Sequence, residues 1–146
     1  MRVVLDTNAL LVAISRKTPY YPIFNSLMNG EYELCMTTDI LNEYAEKLAQ
    51  KFSEGVMHNT MKAIEKSPDI ILVHKYFFWN LITADPDDNK FVDCAVAASA
   101  DFIVTEDKHF KVLKEIPFPP VTVINMDDFV EMLTGARPEN TEHRKR

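Results

Sequence analysis

Five short β-branched or apolar runs, each followed by helix-forming or turn sequence, constrain this chain more than any other feature. The runs are Arg2–Leu5, Glu33–Met36, Ile70–Val73, Phe102–Thr105 and Val121–Ile124. Each has the length of a strand and too few polar positions to leave one face in water, which is the pattern of a buried parallel sheet. Between them lie stretches with helical spacing. Ala9–Ile14 follows the cap residues Thr7 and Asn8, and Ile23, Phe24, Leu27 and Met28 precede a Gly30 stop. Ile40, Leu41, Tyr44, Leu48 and Phe52 form an apolar stripe behind the cap signal Thr37-Thr38-Asp39. Val56, Met57, Thr60, Met61 and Ile64 form another, ending before Pro68. Asn89–Ala100 reads as an Ala-rich helix, Phe110–Leu113 as a short one and Met126–Leu133 as the last. Strand and helix alternate throughout, so the expected fold is α/β: a three-layer α/β/α sandwich on a mainly parallel central sheet.

At 146 residues and 47% hydrophobic, the chain is sized for one domain with a real core. Residues 1–134 form that expected domain, and 135–146 read as a flexible polar tail. A net charge of −6 argues against a broad basic nucleic-acid surface, but not against a nucleic-acid enzyme built on an acidic metal site. There is neither a leader pattern nor an apolar run of the ~20 residues a membrane helix needs, so a cytoplasmic protein with no membrane partner is expected. Cys35 and Cys94 are unpatterned and read as reduced, packed thiols. No pair of the four histidines is spaced for zinc.

Acidic residues stand where the fold puts chemistry. Asp6 directly follows the first run and Asp107 follows the fourth, at the carboxyl edge where open α/β sheets bind ligands. Glu43 lies one turn into the helix after the second run, at the edge of its apolar stripe. Asp93 lies early in the Ala-rich helix, whose small Ala97 and Ala100 allow close packing on the sheet. Taken singly, each is an ordinary cap or turn residue, and Asp85, Asp87 and Asp88 read equally well as a solvated turn around Pro86. Several carboxylates gathered at one edge repel each other unless protonated or bound to a cation, and such an oxygen set suits magnesium or manganese.

In this order the pieces resemble a PIN domain over residues 1–133: Val4-Leu5-Asp6-Thr7-Asn8, Ile40-Leu41-Asn42-Glu43, Asp93-Cys94-Ala95-Val96-Ala97-Ala98, and Ile103-Val104-Thr105-Glu106-Asp107. The run Asp85-Pro86-Asp87-Asp88-Asn89-Lys90-Phe91 is similar to the subgroup assigned as toxins of toxin–antitoxin pairs. The resemblance implies an Mg²⁺- or Mn²⁺-dependent ribonuclease. Its catalytic and metal-binding carboxylates would be Asp6, Glu43, Asp93 and Asp107, with Asp88 a rival or companion to Asp93 and Asp93 preferred on register. Asn8 would brace the site, and Thr105 would orient Asp6 or a water at the metal. Glu43 would position the water or a second metal. In-line hydrolysis would leave a 5′-phosphate. Glu106 departs from the Gly or Arg of many relatives. The implied partners are RNA, a cognate antitoxin and a second copy in a homodimer.

For substrate grip, Lys47 and Lys51 follow Glu43 on its helix, and Lys108, Lys111 and Lys114 with His109 follow Asp107; each group also reads as a solvated charged face. Tyr76-Phe77-Phe78-Trp79 reads as core or dimer surface ahead of a base-stacking platform. Two other functions stay open. A non-catalytic PIN-like module would bind RNA or a partner. A phosphotransfer enzyme would use Asp6 as nucleophile, but haloacid-dehalogenase-like enzymes carry a second Asp two residues on, where this chain has Asn8.

Overall fold

The structure is a computed structural model and describes residues 1–75 and 77–138. Its elements run β1 (Arg2–Leu5), α1 (Thr7–Ala13), α2 (Tyr21–Met28), β2 (Glu33–Met36), α3 (Thr38–Lys51), α4 (Glu54–Lys66) and β3 (Ile70–Leu72). The chain continues through a 3₁₀ turn (Pro86–Asp88), α5 (Asn89–Ala98), β4 (Phe102–Val104), a 3₁₀ helix (Lys108–Glu115), β5 (Val123–Ile124) and α6 (Met126–Thr134). The strands form one sheet in the order β3-β2-β1-β4-β5, and every pairing is parallel.

Burial in the strands explains the layering. Val3, Val4 and Leu5 are all fully buried although consecutive side chains point to opposite faces. Both faces of the sheet are therefore covered, which is the α/β/α arrangement expected from the sequence. α5 packs across β1, β2 and β4, α1 packs on α3, and α2 packs on α6. Tyr44 is fully buried on α3, and its hydroxyl donates to the Leu5 carbonyl at 2.6 Å. That bond ties α3 to the end of β1 and fixes the position of the neighbouring Glu43.

Local chemistry sets the boundaries. Asp6 itself caps α1, accepting from the Ala9 N–H at 2.7 Å, so the helix begins at Thr7, two residues earlier than the start at Ala9 expected after a Thr7-Asn8 cap. Thr37 caps α3 and Ser53 caps α4 in the same way. α5 ends at Ala98, short of the expected Ala100, because Ser99 turns left-handed with φ 51°. The short helix near Phe110 extends over Lys108–Glu115 as a 3₁₀ helix.

Strand order also locates the crevice. β2 and β3 lie on one side of β1 while β4 and β5 lie on the other, so the chain changes direction between β1 and β4. Ligand crevices of open α/β sheets form beyond the carboxyl ends of the strands at such a point. No helix among the described residues is long and apolar enough to cross a membrane. Cys35 and Cys94 are free and buried. In the expected tail, Arg137 pairs with Asp128 and Glu131, each at 2.8 Å, and residues 139–146 lie outside those described.

Candidate active site

Asp6 follows β1 and Asp107 lies just beyond β4, so the two strands flanking the switch point deliver one carboxylate each. An open cavity of about 220 Å³ there is lined by Asp6, Asn8, Glu43, Lys47, Asp88 and Asp107, with Asp85 and Asp87 on its wall. Four elements far apart in sequence thus bring their acids to one place.

Each acid is held by partners of its own. Asp6 accepts from the Ala9 N–H and from the Thr105 hydroxyl, and Thr105 in turn accepts from the Asp107 N–H at 2.9 Å. Asp107 caps the following 3₁₀ helix through the His109 N–H at 2.9 Å. Glu43 accepts from the Thr7 hydroxyl and from the Lys90 ammonium, which also reaches Asp87 at 3.0 Å. Asp88 differs. It occupies the N-cap position of α5, but its side chain makes no capping bond. Its Oδ2 is buried without a hydrogen-bond partner. The adjacent Asn89 side chain fixes this corner by bonding both the N–H and the carbonyl of Ile82, at 2.9 and 2.8 Å.

Crowding shows in the titration of the acids. Burial raises the Asp6 carboxyl above its ordinary range, with the charges of Asp107 and Glu106 adding to the rise and the bonds from Thr105 and Ala9 opposing it. Asp88 is pushed up to about 6, by burial first and then by Asp107 and Asp85. A raised carboxyl favours the folded state most when protonated. This contribution of Asp88 is therefore complete below its ordinary 3.8 and is lost as pH rises through about 6. In chelator-treated protein, Asp88→Asn should lift the melting temperature above wild type by an amount that grows from pH 4 to pH 7. A difference independent of pH would refute the strain assigned to this carboxylate.

A divalent cation fits these donors. Buried, mutually repelling carboxylate oxygens, one of them without a hydrogen bond, are what a hard cation neutralises. The tightest grouping of possible ligand atoms among the described residues is Asp85, Asp88 and His109, all within 4.8 Å of one another. His109 Nδ1 stands 3.5 Å from Asp88 and 3.4 Å from Asp107, bridging that group to the rest of the cavity, and it too lacks a hydrogen-bond partner.

The expected site residues fall in different places. Asp93 is not among the residues lining this cavity. It lines a separate one with Asp39, Lys75 and Lys90, and its Oδ1 accepts from the Trp79 N–H at 3.1 Å. Five residues along a helix is ~140° of rotation past the turn, so Asp88 and Asp93 cannot share a face. Asn8 is exposed on the rim and makes no bracing bond; Thr7 and Thr105 are the residues that hold the acids. Lys47 lines the cavity, but Lys51 does not and instead lies over the Phe52 ring. Lys108 lines an adjoining pocket. Lys90 and His109 were legible only as spacings, one inside the Asp85–Phe91 run and the other two residues after Asp107. The aromatic stretch is not core, since Phe77 and Phe78 are about two-thirds exposed, at 68% and 69%; Tyr76 lies outside the described residues.

Comparison with known proteins agrees with this architecture. The crystal structure of VapBC2 from Rickettsia felis, bound to a DNA fragment from their promoter, is similar in fold: TM-score 0.60, 18% identity, covering 86% of this chain and 98% of that one. None of the curated proteins matches. The family model described as PIN domain matches residues 2–109, from β1 through Asp107 to the start of the 3₁₀ helix. With most of its length inside that match, and with acids converging at the switch point of a parallel sheet, this chain belongs to the PIN domain family.

Proposed function

We propose that this protein is a metal-dependent endoribonuclease, the toxin of a toxin–antitoxin pair, acting in the cytoplasm. The observation that carries the reading is the meeting of Asp6, Glu43, Asp88 and Asp107 at one cavity, with a buried oxygen of Asp88 that makes no hydrogen bond and faces His109 Nδ1 at 3.5 Å. The family match and the likeness to VapBC2, solved on promoter DNA, support a nuclease working with a DNA-binding antitoxin. The homodimer implied by the sequence resemblance belongs to the same proposal.

Asp6, Asp88 and Asp107 would hold Mg²⁺ or Mn²⁺, with His109 and Asp85 adjacent. When bound, the ion supplies Lewis-acid charge, which lowers the pKa of a water and offsets negative charge building on the phosphate. Thr105 keeps the Asp6 carboxylate fixed, and its own oxygen is pinned by the Asp107 N–H, so the two acids keep their spacing. Glu43 is held between Thr7 and Lys90 and would accept a proton from the attacking water. Lys47, exposed on the cavity wall, would offer the substrate phosphate a positive charge.

The test is incubation of the protein with a mixed RNA panel in Mn²⁺ or Mg²⁺, beside the same reaction in excess chelator. Internal cleavage leaving 5′-phosphate ends, abolished by chelator, is expected. Undiminished cleavage in chelator, or intact RNA under every metal, would overturn the reading.

A further inference from the structure

We propose that Lys108, Lys111 and Lys114 form a rail that carries the phosphate backbone of a single-stranded RNA away from the acidic site. This deepens the ribonuclease reading and rests on it. The three lysines occur at every third position of the 3₁₀ helix Lys108–Glu115. A 3₁₀ helix has 3.0 residues per turn and rises ~2.0 Å per residue, so side chains three apart stand directly above one another, about 6 Å between steps. An α-helix would splay them. Phe110 and Leu113, at 1% and 2% exposure, anchor another face of this helix in the core, and the Phe110 ring packs against Phe91 of α5. All three lysines are exposed.

They face a pocket of about 320 Å³ that shares Asp107 with the active-site cavity. A strand whose phosphate lies at Asp107 therefore meets the lysines next. The acids of this pocket are already engaged. Asp128 accepts from Arg137 at 2.8 Å, and Glu106 accepts from the Met126 N–H at 2.9 Å. By contrast, the ion-paired cations among the described residues are Arg2, Lys75, Lys90, His109 and Arg137, which leaves the three lysines without an acidic partner. In a chain of net charge −6, a row of ammonium groups that make no ion pair, beside an acid cluster, is an uneven field that draws in a polyanion and orients it. The spacing suits a flexible phosphodiester strand more than a compact anion, which one or two lysines would satisfy.

The experiment measures binding of a fluorescein-labelled, mixed-sequence single-stranded RNA by anisotropy across a salt series, with cleavage silenced by Asp6→Asn. Two further pairs of substitutions are compared on that background. Lys111→Ala/Lys114→Ala and Lys62→Ala/Lys66→Ala remove equal charge, the second pair from exposed positions on α4. Each single-strand phosphate contact contributes about 0.7 to the slope of log affinity against log salt, so the rail pair should flatten it by about 1.4. The α4 pair should leave the slope unchanged. Equal slopes for all three proteins, equal flattening by both pairs, or no RNA binding at low salt would overturn the rail. Rail-dependent binding by a chain whose wild type cuts no RNA in metal would instead overturn only the ribonuclease reading.

Discussion

Replacing Asp6 by asparagine is expected to reduce RNA cleavage by on the order of 1,000-fold while leaving the protein as stable as wild type in chelator, or more so. The two halves of this result have separate causes. Lewis-acid catalysis is worth several kcal/mol, and each ~1.4 kcal/mol is tenfold in rate, so losing an acid that holds the ion is severe. Stability follows other bonds. Asparagine caps a helix about as well as aspartate and can still accept from the Ala9 N–H. Its amide can donate to Thr105, whose oxygen already accepts from the Asp107 N–H. The substitution also removes a charge that burial and the neighbouring acids disfavour. Melting in chelator beside a cleavage time course checks both halves. Lost activity accompanied by a collapsed melting temperature would reduce Asp6 to a structural cap.

Exchanging the acids of α5 separates two registers of the same site. Asp88→Asn is expected to cost at least about 100-fold in cleavage, on the scale of losing a single preorganised electrostatic contact. Asp93→Asn is expected to stay within a few-fold of wild type, because the amide oxygen can keep the Trp79 N–H bond and no cavity acid is lost. Burial also raises the Asp93 carboxyl, so neutralising it relieves a cost. Paired rate measurements on folded variants check this. Greater loss from Asp93→Asn than from Asp88→Asn would restore the register that sequence similarity favoured.

That register is where the sequence stopped being informative. The strands, their order along the chain and the two strand-end acids were legible because buried strands carry continuous apolar runs and because Asp6 and Asp107 follow them directly. Glu43 was legible from its place on the stripe that Tyr44 anchors. Asp88 and Asp93 both precede an Ala-rich run, and helical periodicity alone does not say which lies before the first turn. The deciding features are three-dimensional: the Asn89 clamp on Ile82, the missing cap bond of Asp88 and the pull of Trp79 on Asp93. The hold of Lys90 on Glu43 spans 47 positions, and no local pattern announces a contact of that reach. The lysine spacing was visible, but its meaning changed with helix type, since only a 3₁₀ helix aligns every third residue.

Calorimetric titration of Mn²⁺ into wild type, Asp6→Asn, Asp88→Asn and Asp93→Asn at pH 7 tests the central claim most directly. The account predicts saturable binding to wild type and Asp93→Asn, and binding weakened by at least about tenfold in Asp6→Asn and Asp88→Asn, the scale at which even indirect supports of a metal site act. Indistinguishable titrations of all four proteins, or a loss confined to Asp93→Asn, would contradict it.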